Sequence, residues 1–191
     1  VRQALMLPDL CHREKEFSDL MAAIRAKLLK AFDIEEHYTS VLVSGSGTAA
    51  LEMAVSSSLS PERSMLVIEN GVYGERIGKL CDIYQFKRHT LKLGWGELPN
   101  LEKIENILKQ NPDIEVVSLV HHETTTGLLN PLKEVGELAR RYKKIFLVDA
   151  ISSLAGDEVD FESCPIDIVV GTANKCLQGF PGVSFVLFKK N

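Results

Sequence analysis

Two hydrophobic patterns alternate along this chain, and that alternation constrains its fold more than any other feature. Short apolar runs recur as YTSVLV (38–43), SMLVIEN (64–70), HTLKL (89–93), IEVVSLV (114–120), IFLVDA (145–150), IDIVV (166–170) and VSFVLF (183–188). Between them lie segments of helical period: GTAALEMAVSSSL (47–59), YGERIGKLCDIY (73–84), LEKIENILKQ (101–110) and PLKEVGELARRYK (131–143). An earlier helix places Phe17, Leu20, Met21, Ile24 and Leu28 on one stripe. Nearly continuous apolar strands are covered on both faces, so the pattern predicts a three-layer α/β sandwich with a mostly parallel sheet. Asn130 is expected to cap the helix that opens at Pro131. The link from IDIVV to VSFVLF is only Gly171 to Gly182. A parallel crossover takes about a dozen residues or more, usually with a helix, so the last strand is expected to run antiparallel.

Composition narrows the function classes. The 191 residues are 45% hydrophobic and 25% charged, with a net charge of −4, enough for one core and without the basic excess that favours nucleic acid. No apolar run approaches the ~18 residues of a membrane span. Cys11, Cys81, Cys164 and Cys176 are far apart and read as reduced thiols of a cytoplasmic protein. The start at Val1 and the stop just after a strand are read as cuts at both ends of a longer polypeptide.

Open α/β sheets bind ligands beyond the carboxyl ends of their strands. Five loops there carry chemistry: Ser44–Thr48, Gly71–Gly74, His121–Gly127, Asp149–Ser153 and Gly171–Gly182. SGSGTAALE sets glycines and hydroxyls at a helix N-terminus, where free amides and the helix dipole favour an anion such as phosphate; the same residues also make a plain capped turn. Asp149 follows four apolar residues, so its carboxylate needs either a cation or the amides of a following turn. Lys175 lies between two strands that look buried. Burial disfavours an ammonium and frees an amine for carbonyl chemistry, whereas an exposed hairpin lysine is the ordinary alternative. An anion cradle, a strand-end carboxylate and a loop lysine together match pyridoxal 5'-phosphate. Asp149 keeps the ring nitrogen protonated, Lys175 forms the Schiff base and then moves the substrate proton, and Tyr73 offers a face for the ring. His121 and His122 lack a third ligand at metal spacing, so no metal site is expected, and both read as strand-end residues, one of them near the ring. Cys176 reads as a packing residue.

At SGSGTAALE, NGVYGER, VHHETTTGLLNPL, LVDAISSLAG and TANKCLQGFPG, spanning residues 44 to 182, the chain resembles a fold-type I pyridoxal-phosphate enzyme of the class V aminotransferase group. It is most similar to the 2-aminoethylphosphonate–pyruvate aminotransferases. The resemblance implies Lys175 and Asp149 as catalytic residues and puts Ser46, Gly47 and Thr48 at the phosphate. It implies Tyr73 stacked on the ring, Thr124 near the ring's phenolic oxygen or the lysine Schiff base, and Ser152, Thr172 and Asn174 lining the site. It also implies small-molecule substrates, a homodimer, and residues 1–191 as a large cofactor-binding domain whose substrate-binding arginine lies in a further domain. The alternatives are an alanine–glyoxylate or serine–pyruvate aminotransferase, a pyridoxal-phosphate lyase or desulfurase, and a non-catalytic α/β module. Asn174 before Lys175 speaks against a desulfurase, whose lysine usually follows a histidine.

Overall fold

Seven strands form one sheet in the order β1-β9-β8-β7-β4-β2-β3 in a computed structural model that describes residues 2–190. They are β1 (Tyr38–Ser44), β2 (Ser64–Glu69), β3 (Lys87–Lys92), β4 (Ile114–Val120), β7 (Ile145–Asp149), β8 (Ile168–Thr172) and β9 (Val183–Lys189). Two short strands, β5 (His122–Glu123) and β6 (Leu128–Leu129), pair separately as a small antiparallel ladder. β9 is antiparallel to both β1 and β8, and the β2–β3, β2–β4, β4–β7 and β7–β8 pairs are parallel. The ten-residue link before β9 is thus a return, as its length predicts.

Successive side chains of the inner strands point to opposite faces, and both faces are dry. Leu66, Ile68, Val117, Leu119, Phe146 and Val148 pack with α4 (Leu101–Gln110) and α5 (Leu132–Arg141). Met65, Val67, Val116 and Leu147 pack with α2 (Gly47–Ser57) and α3 (Val72–Ile83) on the other side. Helix layers on both faces complete the expected three-layer sandwich.

Three local expectations change. α1 (Lys15–Lys30) forms, but none of its residues is buried; Leu20 and Ile24 stay exposed, while Leu28 and Leu29 reach the core. Asn130 does not cap α5. Pro131 stands at the cap position with no side-chain bond, because the Asn130 amide is spent elsewhere. It donates to the Val120 carbonyl at 2.8 Å and accepts from the Asn70 amide at 2.8 Å, tying together the chain just beyond β4 and β2. The β5–β6 ladder was not anticipated, since two residues per strand carry no periodicity.

All of these strand ends deliver loops to one rim. Asn130 is buried there, so Asn130→Ala leaves a carbonyl and an amide without their partner, at a cost of about 1–3 kcal/mol. Urea unfolding of the two proteins checks this.

Candidate active site

Asp149 is the last residue of β7, and its neighbours β4 and β8 enclose it; it is 3% exposed. Its Oδ1 accepts the Ile151 N–H at 3.0 Å. Its Oδ2 is buried and has no partner among the described residues. Burial pushes the carboxyl up to about 6, against the Ile151 amide and the nearby Arg76 charge, and with a further push from Glu123. The turn-capping reading of this carboxylate is thus met by one oxygen, Oδ1.

A small cleft opens above this carboxylate. Tyr73, Thr124, Asp149, Ser152 and Lys175 all line it, with Val120 and Ile151 as its apolar walls. Sequence reasoning named the first five. Thr124 and Lys175 stand exposed at the mouth, so the burial expected for Lys175 is not found: the two flanking strands are buried, but their link turns the side chain outward at the rim. Ser152 Oγ donates to the His122 carbonyl at 2.8 Å, which holds the loop after β7 against β5.

The anion loop adjoins the cleft through Gly47, where an added Cβ would come within 3.0 Å of the Ile151 side chain. Ser46 is the N-cap of α2 and accepts the Ala49 N–H at 3.3 Å. The Gly47 and Thr48 N–H groups, the first two of the helix, have no acceptor among the described residues. Capping and anion binding are compatible here, because the cap uses only one amide. The lysine loop braces this turn: Gly45 N–H donates to the Gly182 carbonyl at 2.9 Å, and Ser184 Oγ donates to the Ser46 carbonyl at 2.9 Å.

Thr172 and Asn174 do not line the cleft. Thr172 Oγ1 donates to Asn174 Oδ1 at 2.9 Å, so the pair shapes the lysine loop from within. The histidines also stay outside it. His121 Nδ1 meets Ser153 Oγ at 3.0 Å, and burial pushes its imidazole below the ordinary value. His122 pairs with Asp157 at 2.7 Å. Cys176 packs half-buried, its Sγ donating to the Ser152 carbonyl at 3.2 Å. Among the described residues no group of three or more His, Cys, Asp or Glu could hold a metal ion, and no helix is long and apolar enough to cross a membrane.

Sequence reasoning missed Arg76. Its guanidinium lies 4.6 Å from the Tyr73 ring centroid and donates to Thr48 Oγ1 at 3.1 Å, bridging the aromatic wall to the anion loop. Its place three residues after Tyr73 was the available signal, since residues at that spacing share a helix face.

A larger groove of about 460 Å³ lies toward the amino ends of the parallel strands, lined by apolar residues such as Val41, Met53, Ile168 and Phe188. Asp167 and Lys189 also line it, but it lies at the opposite end of the strands from the loops that carry Asp149, Lys175 and the anion turn, so the smaller cleft is the candidate site.

The class-V aminotransferase model matches residues 4–191. The chain belongs to the class-V aminotransferase family. It is 40% identical over 191 residues to a 2-aminoethylphosphonate–pyruvate transaminase of Vibrio vulnificus (strain CMCP6), covering 100% of this chain and 52% of that protein. It is 42% identical over 189 residues to a bifunctional phosphonoacetaldehyde hydrolase/aminoethylphosphonate transaminase of Clostridioides difficile (strain 630), covering 98% and 30%. The crystal structure of an alanine–glyoxylate aminotransferase from Nostoc sp. superposes with a TM-score of 0.90 at 30% identity, over 99% of this chain and 49% of that one. The chain therefore spans about half the length, or less, of these relatives.

An acid whose pKa is higher folded than unfolded binds more protons in the native state, so stability falls as pH rises between the two values. For Asp149 these are 3.8 and about 6. The cofactor-free chain should lose about 3 kcal/mol across that window from this group alone. Urea unfolding at a series of pH values should show that loss in the wild type and not in Asp149→Asn, so the difference between the two curves carries it.

Proposed function

We propose that residues 1–191 form the large cofactor-binding domain of an aminotransferase that uses pyridoxal 5'-phosphate to move the amino group of 2-aminoethylphosphonate to pyruvate, giving phosphonoacetaldehyde and alanine. The observation that carries the cofactor is the buried, unpartnered Oδ2 of Asp149 on the same cleft as Lys175. A carboxylate in such a place suits a protonated ring nitrogen, which supplies both the donor and the charge it lacks. Identities near 40% to aminoethylphosphonate transaminases support the substrate.

The residues fit the group. Gly47 and Thr48 offer free amides to its phosphate at the positive end of α2. Tyr73 covers one face of the ring, while Val120 and Ile151 keep water from it. Thr124 and Ser152 stand at the edge, and Thr172 and Asn174 hold the lysine loop in shape. When bound, pyridoxal 5'-phosphate supplies an aldehyde carbon that condenses with amines and a ring that accepts electron density. Asp149 holds the proton on the ring nitrogen and thereby keeps that ring electron-poor. Lys175 would hold the group through Nζ, and its free amine would serve as the base that takes the proton from the substrate's amine-bearing carbon and as the acid that delivers it to the group's own aldehyde-derived carbon. The exposed Leu5, Met6, Leu7 and Leu10, with Leu20 and Ile24 of α1, support a homodimer.

The alanine–glyoxylate structure favours a second reading, in which alanine or serine is the amino donor. The two donors differ physically. 2-Aminoethylphosphonate has no carboxylate on its amine-bearing carbon and places a tetrahedral phosphonate one carbon further out. Each charge-assisted hydrogen bond that fits only one of these anions changes selectivity by about tenfold or more.

The full-length protein in its pyridoxal form is mixed with each donor alone, and conversion to the pyridoxamine form is followed by absorbance. Faster conversion with 2-aminoethylphosphonate is expected; faster conversion with alanine or serine selects the second reading. Borohydride should trap the cofactor on Lys175, and label on another lysine overturns that assignment. Asp149→Asn should slow the half-reaction by far more than it weakens cofactor binding.

A further inference from the structure

The wall that Tyr73 forms is held from outside its own loop. Tyr73 is the second residue of α3, and the first three amides of a helix have no partner within it. Here all three are capped by the turn after β4, some 50 residues away in sequence. Val72 N–H donates to Thr125 Oγ1 at 3.2 Å, Tyr73 N–H to Glu123 Oε1 at 3.4 Å, and Gly74 N–H to Glu123 Oε2 at 3.1 Å. Thr125 Oγ1 in turn donates to Glu123 Oε1 at 2.6 Å, and the Thr125 N–H adds a bond at 3.3 Å.

Glu123 is completely buried and has no Lys, Arg or His within ion-pair distance among the described residues. A lone buried carboxylate is costly unless donors surround it. Backbone amides at the positive end of α3 supply that compensation. The fit is tight: an added Cβ on Gly71 would come within 2.3 Å of Glu123 Cγ and Cδ, so the cap position accepts only glycine for this contact.

The same turn carries Thr124, which lines the cleft together with Tyr73. We propose that Glu123, clipped through Thr125, is a positioning residue that locks Tyr73 and Thr124 into one rigid clamp around the cofactor ring. The proposal rests on the cofactor reading above. Glutamine in place of Glu123 keeps the size but swaps one acceptor for a donor that faces an amide N–H, so it opens the clip without leaving a hole.

The test is a double-mutant cycle on pyridoxal 5'-phosphate affinity in the full-length protein, with Glu123→Gln, Tyr73→Ala and the two combined, each checked for folding by far-UV circular dichroism. Loss of a charge-assisted cap should weaken binding about tenfold to a hundredfold in Glu123→Gln and alter the visible circular dichroism of the bound cofactor. In the Tyr73→Ala background the same change should cost less than about threefold, because its effect passes through Tyr73. Unchanged affinity in Glu123→Gln, or a loss that adds in full without Tyr73, overturns the proposal. Should Glu123→Gln not fold, Thr125→Val, which removes both the acceptor of the Val72 amide and the hydroxyl that donates to Glu123, takes its place in the cycle. Amide hydrogen exchange at Val72, Tyr73 and Gly74, read without cofactor, must speed up in the clip variants, and slow exchange there also overturns the clip. Wild-type protein that binds no cofactor defeats the cofactor reading, while the exchange result still decides the clip.

Discussion

The antiparallel insertion of β9 between β8 and β1 is the constraint on which the site depends. A parallel successor to β8 would have carried the chain away from the rim on a long crossover. β9 instead starts at the rim, so the loop that bears Lys175 begins and ends there. Its exit at Gly182 bonds Gly45, and Ser184 bonds the carbonyls of Gly45 and Ser46. The lysine loop and the anion loop thus become one unit, although some 130 residues separate them.

The second organising feature is the treatment of buried charge. Asp149 and Glu123 are both carboxylates in dry surroundings, yet they are compensated differently. Glu123 is surrounded by amides and a hydroxyl and needs nothing more. Asp149 receives one amide and leaves an oxygen without a donor. Buried polar groups are nearly always paired, so the unpaired oxygen of Asp149 on the cleft supports the proposed ligand contact, while the fully bonded Glu123 reads as structure. Arg76 lies over the Tyr73 ring, bonds Thr48 and counters part of the charge on Asp149.

These features also explain why the smaller cavity is the candidate site. The larger groove is lined mainly by apolar residues, and its polar members, such as Asp167 and Lys189, lie at the amino ends of the parallel strands, away from the anion turn and the lysine loop. The cleft over Asp149 is small because side chains crowd it, and those side chains supply an acid, an amine, hydroxyls and an aromatic face within one enclosure.

Periodicity alone determined the layers, the strand positions and the antiparallel last strand, because burial on two faces writes continuous apolar runs and a short link cannot cross over. It also exposed Asp149, Lys175 and the Ser46–Thr48 turn as chemistry out of place beside apolar strands. Only tertiary structure decided what Asn130, Glu123 and Arg76 do. Asn130 looks like a helix cap and bonds Val120 and Asn70 instead; Glu123 looks like a surface acid in a polar turn and caps a distant helix; Arg76 looks like a solvated helix charge and covers Tyr73. Lys175 looked buried and is exposed, since the burial of flanking strands does not extend to the side chain of the loop between them. The physical reason is common to all four: a hydrogen bond or a buried surface depends on where a partner from another segment arrives, and local sequence encodes the preference of each residue without the position of that partner.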